Sequence, residues 1–565
     1  MSLLDWIVLA GFLTFVAVYG IWKSRGKKSI REYLLADRST PWYTVTLSIM
    51  ATQASAITFL STPGQAYVDG MRFVQFYIGL PIAMIILSIT AVPLYHKLNV
   101  YTAYEFLEQR FDLKNRMLGA ILFLIQRGLA AGFTIFAPAL IISVLLGWDI
   151  QLTVFLIGAV VVLYTASGGT DAVNKTHLLQ MLIILFGMVS AFVMVINSLP
   201  SDISFLDAAH IAGKLGKLNA ITFDFDWTDR YSFWSGLVGG TFLALSYFGT
   251  DQSQVQRYLS GKSVAQSKIG LLVNGVVKIP MQFGILFLGA MVFVFYQFVL
   301  PPLNFNPVQT EEVRNSVYAG EYQDIENKFA EIHIKKQDQL REVLAAEKSE
   351  DKAGLENAIE EVRVSSKTER QLKTKAAEII SKADPGADTN DTNYIFLGFV
   401  INVLPAGLIG LILASILSAS MSSTSAELNA LASTTVVDIY KRMIKPEASE
   451  RHYLVVSKLA TVFWGLYAIF LALFANRLGT LIEAVNILGS LFYGTILGIF
   501  LIAFYLKRIG GTATFYAAII AELTVIACYV FTDIPYLWFN VIGCVVLIAI
   551  AVIINIIFRK KSISE

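Results

Sequence analysis

Little of this chain is charged. Asp, Glu, Lys and Arg make up 15% of its 565 residues, against 55% hydrophobic residues and a mean hydropathy of +0.61. A soluble domain carries roughly a quarter charged residues, so a water-soluble globular fold is excluded. The net charge is +2, which leaves no electrostatic footprint for nucleic acid. Cys528 and Cys544 are the two cysteines. Both fall in apolar runs and read as small buried hydrophobes rather than as a disulfide or a metal site. There is no CxxC and no HExxH, and His96, His177, His210, His333 and His452 are scattered. No nucleophile–base pair or metal cluster of an enzyme can be assembled from them. "LSGKS" at 259–263 resembles the end of a phosphate-binding loop, but Gln256 stands where the earlier glycine is required. Nothing here supports an ATP-driven pump.

What the chain has in abundance is apolar length. Runs near twenty residues recur from end to end, and each can cross a hydrocarbon core about 30 Å thick. They are continuous rather than alternating, which excludes a barrel and predicts an all-α polytopic membrane protein. The length criterion gives about thirteen transmembrane helices. They lie near 3–22, 44–62, 74–95, 117–146, 151–167, 178–198, 232–249, 268–299, 393–424, 453–475, 480–505, 512–531 and 536–558. The first is too long for a signal-peptide core and lacks a small-residue cleavage site, so it reads as a retained helix. Basic loops such as "KSRGKK" (23–28), "QRYLSGKS" (256–263), "YKRMIK" (440–445) and "RKK" (559–561) follow alternate spans. They place the N-terminus outside and the C-terminus in the cytoplasm.

Two segments are not membrane. Residues 199–230 form an outer loop with Asp202, Asp207, Asp224, Asp226 and Asp229. Residues 301–391 are rich in charge and helix formers, and predict one or two solvated helices on the outer face. They are either a tolerated insertion or a docking element for an unknown partner. They carry no cysteine framework and a single Asn-x-Ser/Thr acceptor at 390–392, which favours a bacterial inner membrane.

Polar residues inside apolar runs are costly in lipid and need a reason. The second span, "TVTLSIMATQASAITFLSTPG" (44–64), holds Ser48, Thr52, Gln53, Ser55 and Thr58 and ends in Pro63-Gly64. Such a helix can unwind at its centre and free carbonyls for a cation. A later span, "LILASILSASMSSTSAELNALAS" (411–433), is dense in hydroxyls. Ala419, Ser422, Ser423 and Ala426 fall at i, i+3, i+4 and i+7 on one face. Two readings stand: the hydroxyls replace water around a dehydrated Na⁺, or they serve helix packing.

The stretches "MATQASAITFLSTPGQAY" (50–67), "LYTASGGTDAV" (163–173), "YFGTDQSQVQRYLSGKS" (247–263) and "LSASMSSTSAELNALASTTVVDIYKR" (417–442) resemble the solute:sodium symporter family. The resemblance is to the branch of the iodide, multivitamin and monocarboxylate symporters, and covers most of the chain except 301–391. It implies a LeuT-like core of two inverted five-helix repeats and sodium-coupled import of a small organic solute by alternating access. The implied organisation is an extra helix and cytoplasmic loop at 1–43, a first repeat at 44–198 and the outer loop at 199–230. A second repeat then occupies 231–300 and 392–508, interrupted by the 301–391 insertion, and two extra helices with a tail follow at 509–565. The family's common sodium site maps onto the carbonyls of Ala51, Ala54 and Ala419 and the hydroxyls of Ser422 and Ser423.

The sequence also departs from the family. Many members carry an acid associated with a second sodium where this chain has His177. Ser425 is retained beside that site, but Ala426 follows it. One Na⁺ per cycle is implied. His177 either titrates and gives pH-dependent transport or is a polar residue satisfied at a helix end. Solute positions map onto Gln53, Thr58, Tyr77, Asp251, Lys278 and Asn486. Tyr77 replaces a sugar-binding acid, which argues against hexoses, and Thr58 replaces a glutamine, which argues against a halide. Lys278 meets an anionic or hydroxylated solute, or pairs with Asp251. Carboxylates, vitamins and sugar derivatives remain as solute classes. The alternatives are a proton-coupled carrier of the same fold and a transporter-fold membrane sensor.

Overall fold

The computed structural model describes residues 2–24, 30–475 and 480–564. Among these the chain is helical, with one isolated bridge between Thr40 and Gly261 and no strand. Among the described residues nine helical segments are long and apolar enough to cross a membrane: Ala56–Leu98, Leu113–Leu146, Leu179–Asn197, Val264–Phe298, Leu408–Ile444, Glu450–Ala472, Leu481–Tyr505, Gly511–Phe531 and Tyr536–Ile557. Three shorter apolar helices, Leu3–Phe15, Ile150–Leu163 and Thr392–Val403, accompany them.

The helices used below are α1 (Leu3–Ser24), α2 (Trp42–Gln53), α3 (Ala56–Asp69), α4 (Leu113–Leu146), α5 (Ile150–Asn197) and α6 (Phe205–Lys214). They continue as α7 (Gly240–Gly249), α8 (Gln252–Leu259), α9 (Val264–Phe298), α10 (Ala319–Lys348) and α11 (Lys352–Ala383). The last three are α12 (Thr392–Val403), α13 (Leu408–Thr434) and α14 (Leu481–Tyr505).

The span expected at 44–62 is interrupted. α2 stops at Gln53, Ala54 (φ −87°, ψ 74°) and Ser55 (φ −79°, ψ 173°) leave the helical region, and α3 starts at Ala56. Pro63-Gly64 does not end the segment; both residues lie inside α3. A second interruption follows α7, at Thr250 (φ −131°, ψ −22°) and Asp251 (φ −76°, ψ 118°), before the buried α8.

Three expectations need correction. The single span expected at 393–424 is two helices, α12 and α13. Leu404 is extended before Pro405, as proline sterics require, and Gly407 takes φ +87°, a conformation glycine adopts without penalty. The spans expected at 151–167 and 178–198 are joined by helical backbone in α5, 48 residues long. The outer loop at 199–230 contains a helix, α6, started by a capping box between Ser204 and Asp207.

Glycines let helices approach. A Cβ on Gly64 of α3 would overlap the Thr392 carbonyl of α12, and one on Gly289 of α9 would overlap Pro63. Gly11 of α1 faces open space. Gly64→Ala should therefore cost about 1–3 kcal/mol through overpacking. Gly11→Ala should be neutral or stabilise by up to about 1 kcal/mol, the helix-propensity difference. Paired thermal melts in detergent check this; equal melting of the two variants would refute the close approach of α3 and α12.

The insertion is a helical hairpin. α10 and α11 bury Tyr322, Ile325, Phe329, Leu372 and Ile379 near its base. Farther along, His333 Nδ1 lies 2.9 Å from Glu369 Oε1, and Lys336 pairs with the same carboxylate. Burial acts to raise Glu369, but the bonds from His333 and Lys336 prevail and hold it below the usual carboxylate range. The hairpin meets α6 and its approach through the ion pairs Arg341–Asp202 (3.1 Å), Lys348–Asp207 (3.1 Å) and Lys214–Glu347 (3.5 Å). Gln337 Nε2 donates to the Phe298 carbonyl that closes α9 (2.9 Å).

Candidate ion and solute site

The interruption of α2–α3 puts Ala51 and Ala54 where the helical ladder lapses. The Thr58 N–H bonds to the Ser55 carbonyl (3.0 Å), not to that of Ala54. α13 packs against this region, and every residue from Ile412 to Thr434 is buried. Its hydroxyls divide by role. Ser415 bonds back to the Leu411 carbonyl (2.8 Å), Ser420 donates to the Thr134 carbonyl of α4 (2.6 Å), and Ser425 meets Thr165 of α5 (2.8 Å). These serve packing. Ser423 reaches back to the Ala419 and Ser420 carbonyls (3.1 Å each), and its lone pairs are not consumed by donating. The Ser422 hydroxyl is buried and, like those of Ser418 and Thr424 on the same helix, has no hydrogen-bond partner among the described residues, a costly condition unless something else occupies its lone pairs.

His177 lies within α5, not at a helix end. It is fully buried, its Nδ1 sits 3.0 Å from Ser48 Oγ of α2, and it lies beside the Ser422 backbone. The sequence feature at this position therefore joins α2, α5 and α13 next to the serine face.

A cavity of about 90 Å³ opens at the interruption, lined among others by Gln53, Thr58, Tyr77 and Asn486. Four of the six expected solute positions thus share one space. Gln53 Oε1, Gln126 Oε1 and Asn486 Nδ2 face this region without hydrogen-bond partners. Asp251 and Lys278 do not line the cavity, and they do not pair with each other. Asp251 is taken by Arg127 of α4. Lys278 is fully buried, with its Nζ 5.6 Å from the Tyr77 ring centre and no hydrogen-bond partner among the described residues. A larger cavity of about 680 Å³ lies elsewhere, between the C-terminal end of α4, α12 and the insertion, and is lined by none of these residues.

Arg127, Glu427 and Tyr493 escape sequence reasoning yet dominate the electrostatics of the cavity. Arg127 Nη2 bonds to Asp251 and to the Tyr493 hydroxyl (2.6 Å), and Nη1 meets Glu427 Oε1 at 3.1 Å. The Tyr493 hydroxyl of α14 donates in turn to Asp251 Oδ2 (2.8 Å). Asp251 Oδ1 caps α8 by accepting from Ser253 N (2.8 Å) and Oγ (2.6 Å). The available signal was a lone arginine in "QRGLAAG" and a lone glutamate in "SAELNA", opposite charges in two apolar spans.

Both ends of α13 are held by charge. At the N-terminal end Asp5 of α1 is fully buried, and its Oδ1 accepts from Gly407 N (2.6 Å) and Gly410 N (3.1 Å). Past the other end, Arg116 donates to Asp438 (2.8 Å), Glu108 (2.7 Å) and the Val437 carbonyl (3.0 Å). Arg442 shares Glu108 at 2.7 Å.

A model of the sodium:solute symporter family matches residues 33–319 and 372–521, leaving out most of the helical hairpin. Sodium-coupled monocarboxylate transporter 1 of Mus musculus is 34% identical over 279 residues, 48% of this chain and 44% of the relative. The chain thus spans about half the length of that transporter. The sodium/sialic acid symporter of Aliivibrio fischeri is 24% identical over 572 residues, 100% of this chain and 95% of the relative. A solved Na⁺-coupled sialic acid symporter, in a substrate-bound outward-open state, superposes with a TM-score of 0.74 at 22% identity over 98% of both chains. The fold is LeuT-like, and the chain is a multi-pass membrane protein of a transporter family. With a family match over more than half its length, this chain belongs to the sodium:solute symporter family.

Proposed function

We propose that this protein is a sodium-coupled symporter that imports a small organic solute by alternating access, with one Na⁺ per cycle. The carrying observation is the buried, unpartnered Ser422 hydroxyl on the helix that packs against the α2–α3 interruption. A small hard cation dehydrates only where several oxygens converge. The carbonyls of Ala51, Ala54 and Ala419 and the hydroxyls of Ser422 and Ser423 form such a set. Two further contacts support a single sodium. His177 is engaged by Ser48, and Ser425 by Thr165, so neither offers a carboxylate-like second site.

The two interruptions, after Gln53 and after Gly249, support the assignment of repeats at 44–198 and at 231–300 with 392–508. The 1–43, 199–230, 301–391 and 509–565 segments then lie outside the core. The cytoplasmic C-terminus and the outward insertion rest on loop charge, and the bacterial inner membrane on the insertion's lack of a cysteine framework and its single Asn-x-Ser/Thr acceptor. The solute contacts Gln53, Thr58, Tyr77 and Asn486. The free volume of about 90 Å³ is below the roughly 300–1,000 Å³ of ordinary ligand sites. The walls must part to admit a solute, as alternating access requires. Lys278, a buried basic side chain without a hydrogen-bond partner among the described residues behind Tyr77, favours a solute with an acidic group, a class in keeping with the named monocarboxylate and sialic acid relatives. Asp251 serves Arg127 instead of the solute.

Thermal melts in detergent test the sodium site, with NaCl exchanged for choline chloride at constant ionic strength. A ligand at a hundredfold excess over Kd stabilises by about 2.7 kcal/mol. The wild type should melt higher in sodium, and Ser422→Ala should need at least about tenfold more sodium for the same rise, the equivalent of about 1.4 kcal/mol of binding. Identical wild-type melting in both salts would remove the reading.

A further inference from the structure

We propose that the cavity of about 680 Å³ between α4, α12 and the insertion holds the headgroup of a phospholipid with a primary amine, from the leaflet on the insertion's side. The cavity has two kinds of wall. Val144 and Leu145 at the C-terminal end of α4, with Leu397 and Ile401 of α12, make an apolar one. Glu311 and Arg314 of the short helix Pro307–Arg314, with Tyr322 and Glu326 of α10, make a polar one. Tyr322 and Glu326 lie outside the family match, so the polar wall is completed by the insertion and not by the shared core.

The polar wall is built for a phosphate beside an amine. The Tyr322 side chain is 1% exposed, yet its hydroxyl has no hydrogen-bond partner among the described residues. Thr310 lies nearby but spends its own proton on the Asn306 carbonyl (3.0 Å). A buried hydroxyl without a partner is costly, and a phosphate oxygen supplies the acceptor. Arg314 Nη2 holds both oxygens of Glu326 (2.9 and 3.0 Å). A guanidinium carries five N–H donors in a fork, so Nε and Nη1 can take the same phosphate. The lining has one cation, Arg314, and two anions, Glu311 and Glu326. That balance disfavours a plain anion and favours one that brings an ammonium of its own. A primary ammonium donates three hydrogen bonds and has Glu311 to receive them; a quaternary one donates none.

The surroundings make the occupant a lipid. The cavity begins where α4, a membrane span, ends. Apolar residues flanking the lining in sequence are exposed: Val299 and Leu300 before Pro302, and Trp148 after Leu145. Beyond Trp148, α5 presents Leu152 and Phe155, 51% and 56% exposed. Exposed apolar side chains on a span face acyl chains, and tryptophan at a span's end marks headgroup depth. The volume is that of an ordinary ligand site. It takes a headgroup and glycerol while the acyl chains stay in the bilayer. A headgroup seated there ties the hairpin to the membrane surface.

The test uses purified full-length protein, washed free of lipid in detergent. Thermal melting is followed as palmitoyl-oleoyl phosphatidylethanolamine is added in mixed micelles, and native mass spectrometry reads the lipid retained. Phosphatidylcholine and phosphatidylglycerol with the same chains, and water-soluble glycerophosphoethanolamine, are compared. Wild type should melt higher with phosphatidylethanolamine. The other two lipids should need at least about fivefold more for the same rise, the scale of one hydrogen bond, and the free headgroup should have no effect. Tyr322→Phe and Glu311→Gln should each weaken the phosphatidylethanolamine response by about fivefold. Glu321→Gln, at an exposed acid of α10 outside the cavity lining, should leave it unchanged. Glu311 is exposed as well, so its variant folds whatever becomes of Tyr322→Phe. Equal responses to the three lipids, or no response to any, overturn the proposal. So does an unchanged response in Glu311→Gln. A response to glycerophosphoethanolamine equal to that of the lipid also overturns it, and makes the cavity a site for a soluble phosphate–amine.

Discussion

Arg127→Met should destabilise the protein by about 3–5 kcal/mol, the range for removing one partner of a buried ion pair. The arginine side chain is 4% exposed and Asp251 is 0% exposed. Methionine fills much of the volume, so the loss is electrostatic rather than a cavity effect. The variant strands the Asp251 carboxylate with only hydroxyl and backbone donors. Charge neutralisation should rescue it selectively. Arg127→Met with Asp251→Asn should recover most of the stability, because the stranded charge is gone. Arg127→Met with Glu427→Gln should recover less, since Glu427 keeps Thr134 as a donor when the arginine is gone. A double-mutant cycle in detergent, read by thermal or denaturant unfolding, gives the coupling. A single-variant cost below about 1 kcal/mol, typical of exposed pairs, would mean that the cluster is hydrated and does not organise the four segments it joins.

The second large effect lies at the other end of α13. Arg116→Met should also cost about 3–5 kcal/mol, because Asp438 is 0% exposed and loses its only cationic partner among the described residues. Arg442→Met removes an equal charge from the same network, but its side chain is 48% exposed, and the cost should stay within about 1 kcal/mol. Side-by-side melts of the two variants check the contrast. Equal losses would show that Glu108, which both arginines share, carries the network instead of Asp438.

How much of this was legible in the sequence differs by element. The interrupted helix at 44–64 could be read because Thr52, Gln53 and Ser55 sit where lipid tolerates no idle polarity. The serine face at 419–426 could be read from helical spacing. Its division between packing and site could not, because Ser420 and Ser425 are distinguished from Ser422 only by what α4 and α5 present to them. Counting apolar length merged α12 with α13, since Leu404 to Gly407 is too short to lower the average yet contains both a proline and a left-handed glycine. The second interruption was hidden for the converse reason: "GTDQSQVQ" (249–256) is polar enough to read as a loop, whereas α8 is buried. Pairing was the hardest to foresee. Lys278 and Asp251 were natural partners by sign, but Arg127 has the reach and the forked geometry to take the aspartate and a tyrosine hydroxyl together.

The charges at the ends of α13 bear on the ion between them. A helix presents positive potential at its N-terminus and negative potential at its C-terminus, worth about 0.3–1 kcal/mol for a charge at either end and more when buried. Asp5 sits on the positive pole of α13; at the other end the helical backbone runs on through Thr435–Ile444, with Lys441 and Arg442 in its last turn. The positive pole is countered from outside the helix, by a span outside the proposed repeats, and the negative pole by basic residues of the helix's own last turn. The field along the helix is thereby flattened. A cation beside Ser422 then experiences the local oxygens rather than a slope running through the membrane, and α1, which contributes no residue to the cavity, helps set the potential in which the ion rests.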